Sequence, residues 1–157
     1  MGTISKGFAA GVWGTLAMAG VGITIRRLTS ESDDLGKNDP EETIDWIFRT
    51  AGRSEPPPRT RRRLADPLHF LLVGGIGGAV YAALTQGRDR SPWRGGLSVA
   101  ATMWVAGFCG YLPALGVLPY PWKWSFRKLQ ITTSAHLAYG WTMALLYRQF
   151  TADDRPV

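Results

Sequence analysis

The chain of 157 residues contains two histidines and one cysteine that could take part in acid–base, metal or redox chemistry. His69 follows Asp66 by three residues, and His136 lies within the segment SAHLAYGW, residues 134–141. Catalysis or metal binding needs a nucleophile beside a base, a pair of carboxylates, or clustered Cys and His ligands. No such pattern accompanies these residues, so the sequence predicts no catalytic residue and no metal site. The lone Cys109 is predicted to be buried as a packing residue.

The elements that must position these histidines are visible in the charge pattern. Four stretches without Asp, Glu, Lys or Arg contain 19, 21, 28 and 19 residues, and they follow Lys6, Asp66, Arg94 and Lys128. A helix needs about 20 residues to cross the hydrocarbon core of a membrane. The pattern predicts one all-α integral membrane domain over residues 1–157, a four-transmembrane-helix bundle with spans at about 7–25, 67–85, 95–119 and 129–147. We expect the first span to be retained rather than cleaved as a signal peptide.

Basic residues are concentrated on one side of the predicted spans. Twelve of the 18 Lys and Arg residues lie in the 26–66 loop and the 123–128 turn, and six lie on the other side. Short loops rich in Lys and Arg remain in the cytoplasm. The count therefore predicts a cytoplasmic 26–66 loop and both termini on the opposite side. Because the positive charge flanks the spans, it indicates orientation and no nucleic-acid partner.

The long loop contains a predicted amphipathic helix at about residues 40–52, with Asp39 as its N-cap and Pro40 at its first position. An apolar stripe is formed at helical spacing by Ile44, Ile47, Phe48 and Ala51. Such a helix lies in the membrane interface or caps the bundle, and the alternative is a helix that docks a partner. The following SEPPPRTRRR segment predicts an extended spacer that leads four Arg residues to the second span.

Two clusters are predicted to lie at the cytoplasmic surface of the bilayer. They consist of Arg61, Arg62 and Arg63 before the second span, and of Trp122, Lys123, Trp124, Arg127 and Lys128 between the third and fourth spans. Aromatic and cationic side chains are enriched at this depth. We therefore expect these residues to contact lipid headgroups, anionic ones in particular.

Each predicted span carries a row of small residues at every fourth position. The rows are Gly7, Gly11, Thr15 and Ala19; Gly74, Gly78 and Ala82; Ser98, Thr102, Ala106, Gly110 and Ala114; and Ser134, Ala138 and Thr142. Small side chains let helix backbones approach closely in a membrane. The rows predict tight packing, within one chain or between copies, at Gly11, Gly74, Gly78 and Gly110. A further row on the fourth span, formed by His136, Gly140 and Ala144, predicts a close helix contact at Gly140. Pro113 and Pro119 are expected to kink or end the third span.

His136 is predicted to face the interior of the bundle, because an unmet imidazole N–H in hydrocarbon is costly. We expect a hydrogen bond between helices that fixes their packing. The possible acceptors are the Thr132 carbonyl and the Thr133 hydroxyl on the same helix, and Thr102 or Tyr81 on a neighbour. Ligation of a haem, or binding of a quinone, by His69 and His136 is the alternative.

The motifs GFAAGVWGTLAM, residues 7–18, and LPALGVLPYPW, residues 112–122, followed by HLAYG at 136–140, are similar to a known group. They resemble the YagU-like inner-membrane proteins of bacteria. The resemblance covers the first span, the fourth span and the turn before the fourth. It implies a multi-span protein of the bacterial inner membrane without an assigned reaction. In that membrane, the orientation predicted from the basic residues makes both termini periplasmic. It implies no site residue.

Two classes of function fit these features. The favoured one is a non-catalytic subunit or accessory component of a membrane complex or a homo-oligomer, without a cofactor. The alternative is a component of a small-solute transporter or channel, and a haem- or quinone-binding subunit is a minor alternative. The spans contain no acidic residue, Lys or Arg, so the usual groups of proton relays and ion-coupled carriers are missing from them.

Overall fold

The computed structural model describes residues 2–28, 37–85 and 91–152, and within these ranges all regular secondary structure is helical. The helices are α1 Thr3–Leu28, α2 Asp39–Thr50, α3 Pro58–Leu68, α4 Gly77–Thr85, α5 Pro92–Trp104, α6 Leu112–Ala114 and α7 Phe126–Phe150. A π-helical segment, π1 (His69–Ile76), joins α3 to α4, a second, π2 (Val105–Tyr111), joins α5 to α6, and a short 3-10 helix covers Pro121–Lys123. The predicted all-α class is confirmed. The irregular stretch expected at 29–36, and three of the basic residues used for orientation (Arg88, Arg90 and Arg155), lie outside the described residues.

Three helical stretches are long and apolar enough to cross a membrane: Thr3–Ile25, Pro58–Thr85 and Pro92–Ala114. They overlap the first three predicted spans and make a multi-pass membrane protein plausible on length and composition. The helix α7 has 25 residues but is not among them. Polar residues such as Gln130, Thr133 and His136 lower its mean hydropathy, although its central stretch is free of charge.

The third stretch ends at Ala114, earlier than the predicted boundary at residue 119. A proline ring clashes with the carbonyl four residues before it, which here belongs to Cys109. The backbone departs from helical geometry at the next residue, Gly110 (φ −109°, ψ −108°), so Pro113 produces the expected kink. The chain then turns through Gly116 in the left-handed region (φ 71°), which ends the helix before Pro119.

Glycines let the backbone of α1 contact the backbone of the second helical stretch, Pro58–Thr85, directly. A Cβ atom added at Gly11 would overlap the Gly74 carbonyl, and one added at Gly78 would overlap the Gly7 carbonyl. The same relation holds between α5 and α7, where a Cβ at Gly140 would overlap the Gly96 carbonyl. These contacts are the close approaches that small residues permit in a membrane bundle.

Two residues differ from their expected packing. A Cβ added at Gly110 would meet only the Val105 carbonyl oxygen, at 3.7 Å, so Gly110 marks the kink rather than a helix contact. Cys109 beside it is exposed rather than buried, because the distorted π2 segment turns its side chain away from the other helices.

The innermost helix is α7. Tyr139 and Met143 are almost fully buried, and the Tyr139 hydroxyl donates to the Gly74 carbonyl oxygen at 3.1 Å. At one end of the bundle, the ring of Tyr81 in α4 contacts Tyr147 in α7, with 5.5 Å between centroids. The start of α1 and the ends of α4 and α7 therefore lie together, and residues 37–57 and 115–125 lie at the opposite end.

Candidate functional site

The cap of α2 is one residue earlier than predicted. The side chain of Asn38, not Asp39, accepts a hydrogen bond from the Glu41 amide at 2.9 Å. The helix therefore starts at Asp39 and ends at Thr50, before the predicted boundary at residue 52, because Gly52 adopts a left-handed conformation (φ 68°).

The buried face of α2 is charged, in contrast to the predicted apolar stripe. Asp45 is 0% exposed and receives hydrogen bonds at 2.6 Å from both Arg61 and Lys37. Burial by itself would raise the pKa of Asp45, but the hydrogen bonds from Lys37 and Arg61 outweigh it and hold the pKa below its ordinary 3.8. Of the predicted stripe, Ile44 is buried and Ile47 is exposed. The helix is therefore held through ion pairs as well as apolar contact.

Arg61 was expected at lipid headgroups, and the structure instead buries it in this ion pair. The reason is local: the extended spacer ends at Pro57, and α3 begins at Pro58. Winding the Arg run into a helix directs Arg61 toward α2, while Arg62 and Arg63 are exposed. Arg62 also reaches Glu41 of α2 at 3.1 Å.

Two further contacts place α2 across the end of the bundle. The indole nitrogen of Trp46 donates to the Leu115 carbonyl at 2.8 Å, and Lys128 at the start of α7 forms an ion pair with Asp39 at 3.0 Å. The sequence predicts that α2 lies in the membrane interface or caps the bundle, and the contacts of the described residues show that it caps the bundle.

The predicted interfacial cluster divides into an outer and an inner part. Trp122 and Lys123 are exposed, and Trp122 stacks on Tyr120 with 4.4 Å between ring centroids. Trp124 turns inward against Phe108, and the Lys128 ammonium lies 4.8 Å from the Trp124 ring centroid. Headgroup contact by Trp122, Lys123 and Arg127 stays a prediction.

A cavity of about 540 Å³ lies beneath α2 and extends into the bundle. Its mouth is polar, with Lys37, Asp39, Asp66 and Lys128. Its interior is lined by α1, π1, π2 and α7, and it includes both histidines and the aromatic residues Phe70, Phe108 and Tyr111. Along α7 the lining runs from Lys128 to His136, which at about 1.5 Å per residue is a depth of about 12 Å.

The hydrogen bond of His136 lies within α7, so the predicted bond between helices is wrong. Its Nδ1 is 2.8 Å from the Thr132 carbonyl oxygen, one of the four acceptors expected from the sequence. Of the other expected acceptors, Thr133 and Thr102 are exposed. Packing between helices comes from the ring itself, which contacts Phe108 of π2 edge-on with 5.2 Å between centroids.

This bond fixes the state of the His136 ring. A carbonyl oxygen only accepts hydrogen bonds, so Nδ1 must carry the proton. In the neutral ring Nε2 is then an acceptor with a free lone pair. His136 is buried and lines the cavity, so the arrangement supplies a buried hydrogen-bond acceptor to that space.

His69, on π1, is the second imidazole of the cavity. It is half-buried, has no hydrogen-bond partner among the described residues, and lies within electrostatic range of His136. The sequence places the two histidines at different depths of the inner half, and the structure brings them to the same cavity. Asp66, one turn before His69, lines the mouth of that cavity.

Both π-helical segments line the cavity, π1 through His69, Phe70 and Val73, and π2 on the opposite helix. A π turn has a wider hydrogen-bond ring than an α turn, and it occurs frequently at functional sites. Sequence reasoning missed this feature. The available signal was a glycine pair or a proline within an apolar helix, as at Gly74–Gly75 and at Pro113, since these residues permit or force a departure from α geometry.

Within the described ranges, no group of three or more His, Cys, Asp or Glu residues could hold a metal ion. Among the described residues, the interior of the cavity offers two imidazoles, one with its tautomer fixed, and the phenol of Tyr111. Comparisons with protein-family models, with curated proteins and with solved structures found no match to this chain. The resemblance to the YagU-like group therefore stays a prediction.

Proposed function

We propose that the chain is a four-span protein of the bacterial inner membrane that acts without catalysis, as an accessory or structural subunit of a homo-oligomer or a larger membrane complex. The fourth crossing is α7, whose 25 residues have a length of about 37 Å, against about 39 Å for the 26 residues of α1. α7 packs against α1 and α5, and its Thr132 and His136 are buried, so these two polar side chains are withdrawn from lipid.

The observation that carries the proposal is the position of Trp13. It lies in the middle of the candidate span Thr3–Ile25, and it is 56% exposed. Tryptophan prefers the membrane interface, where its indole N–H meets water or headgroups. Its N–H has no partner among the described residues, and an unmet donor costs several kcal/mol in hydrocarbon. A second protein helix that covers Trp13 would supply the acceptor.

The surroundings of Trp13 suit such a helix. Leu16 and Ile23 are exposed on the same side of α1, at 45% and 52%. Between them, a Cβ added at Gly20 would meet nothing within 4 Å, so the backbone is open to close approach. The open Gly20 backbone, about two turns from Trp13, is a small-residue position of the kind through which membrane helices pack.

The test is native mass spectrometry of the full chain released from mild detergent. We expect a homo-oligomer or a stoichiometric complex with foreign subunits, and loss of that assembly in Trp13→Leu. Trp122→Leu is the matched control, because Trp122 is 71% exposed but lies outside the candidate spans. A monomeric wild type without other subunits, or an assembly unchanged by Trp13→Leu, contradicts the proposal.

Small-solute transport is the second candidate, and the cavity is the observation that favours it. Transporters bind their substrates near the middle of the membrane, in sites that open to one side at a time. The cavity opens at the α2 end and extends about 12 Å inward from Lys128. Uptake of small solutes by proteoliposomes tests this candidate, and no protein-dependent flux would remove it.

A further inference from the structure

We propose that the cavity beneath α2 binds a neutral, lipid-soluble ligand of the quinol class, and that a hydroxyl group of the ligand donates a hydrogen bond to Nε2 of His136. This inference concerns binding alone and includes no redox step. It does not depend on the association through Trp13.

The first argument is the fixed tautomer of His136. Its Nδ1 proton is committed to the Thr132 carbonyl at 2.8 Å, so the remaining nitrogen can only accept. No hydrogen bond to Nε2 is formed by the described residues, so this acceptor is available to a ligand in the cavity. A ligand hydroxyl satisfies this acceptor, whereas a ligand carbonyl would place two acceptors against each other.

The second argument is that His69 supplies another polar contact. It lines the same cavity, and among the described residues nothing occupies its ring nitrogens. A neutral imidazole both donates and accepts, so His69 suits either oxygen of a ligand that has two. The two imidazoles come from separate helical segments, so one ligand with two oxygens can contact both.

The third argument concerns charge at the mouth. Lys37 is paired with Asp45 and Glu55, and Lys128 is paired with Asp39. The two cations of the mouth are therefore neutralised, while Asp66 has no ion-pair partner among the described residues. An anionic headgroup, or the two propionates of a haem, would find no unpaired cation in the described lining. A neutral head group avoids the cost of placing an unpaired anion in the cavity.

The shape of the cavity also favours this class of ligand. The interior between the histidines is bordered by Phe70, Phe108 and Tyr111, whose rings suit a flat, apolar ligand. A volume of about 540 Å³ is within the range of small-molecule sites, and the depth of about 12 Å accepts one substituted ring. Both π-helical segments shape this part of the cavity.

The first experiment compares the reduced and oxidised forms of one probe. A radiolabelled decyl-substituted benzoquinol, kept reduced under argon, is titrated into phosphatidylcholine nanodiscs with and without the protein. We expect saturable binding of one molecule per chain. The corresponding benzoquinone lacks the hydroxyl donor, and we expect it to bind at least tenfold more weakly. No saturable binding, or equal affinity for the two forms, overturns the proposal.

The second experiment uses variants whose folding is checked by thermal unfolding. His136→Phe keeps an aromatic ring against Phe108 but removes Nε2, and it should weaken quinol binding at least tenfold. Gly107→Leu should fill the cavity, because an added Cβ there meets nothing closer than 3.9 Å. Its matched control is Ala106→Leu, at the neighbouring exposed position outside the cavity lining.

We expect Gly107→Leu to abolish binding and Ala106→Leu to leave it unchanged. If Gly107→Leu binds the quinol like the wild type, the ligand lies elsewhere and the proposal fails even when His136→Phe is unstable. A purified protein that carries a Soret band, lost in His136→Phe, also overturns it, since iron would then occupy Nε2.

Discussion

The closest helix contact gives the sharpest prediction, which concerns Gly78→Ala. A methyl group at this position would overlap the Gly7 carbonyl oxygen and would lie 2.8 Å from both Cα and N of Gly11. Ordinary contact begins at 3.4 Å, so α1 must move away by at least 0.6 Å (3.4 − 2.8). All these atoms belong to backbone and cannot rotate aside, and overpacking of this kind costs about 1–3 kcal/mol.

Gly20→Ala is the matched control in the same bundle. An added Cβ meets nothing within 4 Å, so this variant gains only the higher helix propensity of alanine, about 1 kcal/mol. Unfolding in mixed micelles with increasing dodecyl sulfate measures both free energies. We expect Gly78→Ala to be less stable than the wild type and Gly20→Ala to be equal to it or more stable. If the two variants have equal free energies of unfolding, the helices are not packed through Gly78.

Two further predictions concern the docking of α2. In both, hydrogen exchange of the α2 backbone amides is the measurement. The hydrogen bond that Lys37 donates to Asp45 raises the pKa of Lys37 above 10.5, and the pKa of Asp45 lies below 3.8, so this ion pair stabilises docking fully between those values. We expect the protection factor, which is the intrinsic exchange rate divided by the observed rate, to fall as the pH falls below 3.8 or rises above 10.5. A protection factor that stays constant would contradict the ion pair. Asp45→Ala leaves Arg61 with only its longer contact to Glu55, at 3.5 Å, and should cost about 1.5–3 kcal/mol, whereas Trp46→Phe loses one hydrogen bond to Leu115 and should cost about 1 kcal/mol. Equal exchange in the two variants would refute this order.

The helical framework could be predicted from the sequence because membrane spans exclude charge over a fixed length. The glycine rows likewise indicated which residues let backbones meet, as at Gly11 and Gly78, because only small residues permit that separation. Whether α7 crosses the membrane was harder to infer. Its hydropathy reflects the neighbours that shield it, and those neighbours are set by tertiary structure.

The site could be predicted only in part. His136 and its Thr132 acceptor are four residues apart on one helix, so the sequence already contained that bond. Arg61 was assigned to lipid because its partner, Asp45, lies 16 residues away on another helix, and periodicity within one helix does not report such pairs. The cavity itself arises where two π-helical segments from different helices face each other, which no local pattern encodes.

The central claim is that the chain crosses the membrane four times, with α7 as the fourth crossing. Topology mapping with a reporter at each terminus of the full chain in bacterial cells tests it directly, because an even number of crossings places both termini on one side. The account predicts an active C-terminal alkaline phosphatase fusion, a dark C-terminal fluorescent protein fusion, and an N-terminal epitope accessible from the periplasm. A fluorescent C-terminus together with a periplasmic N-terminus would show that α7 does not cross, and it would contradict the account.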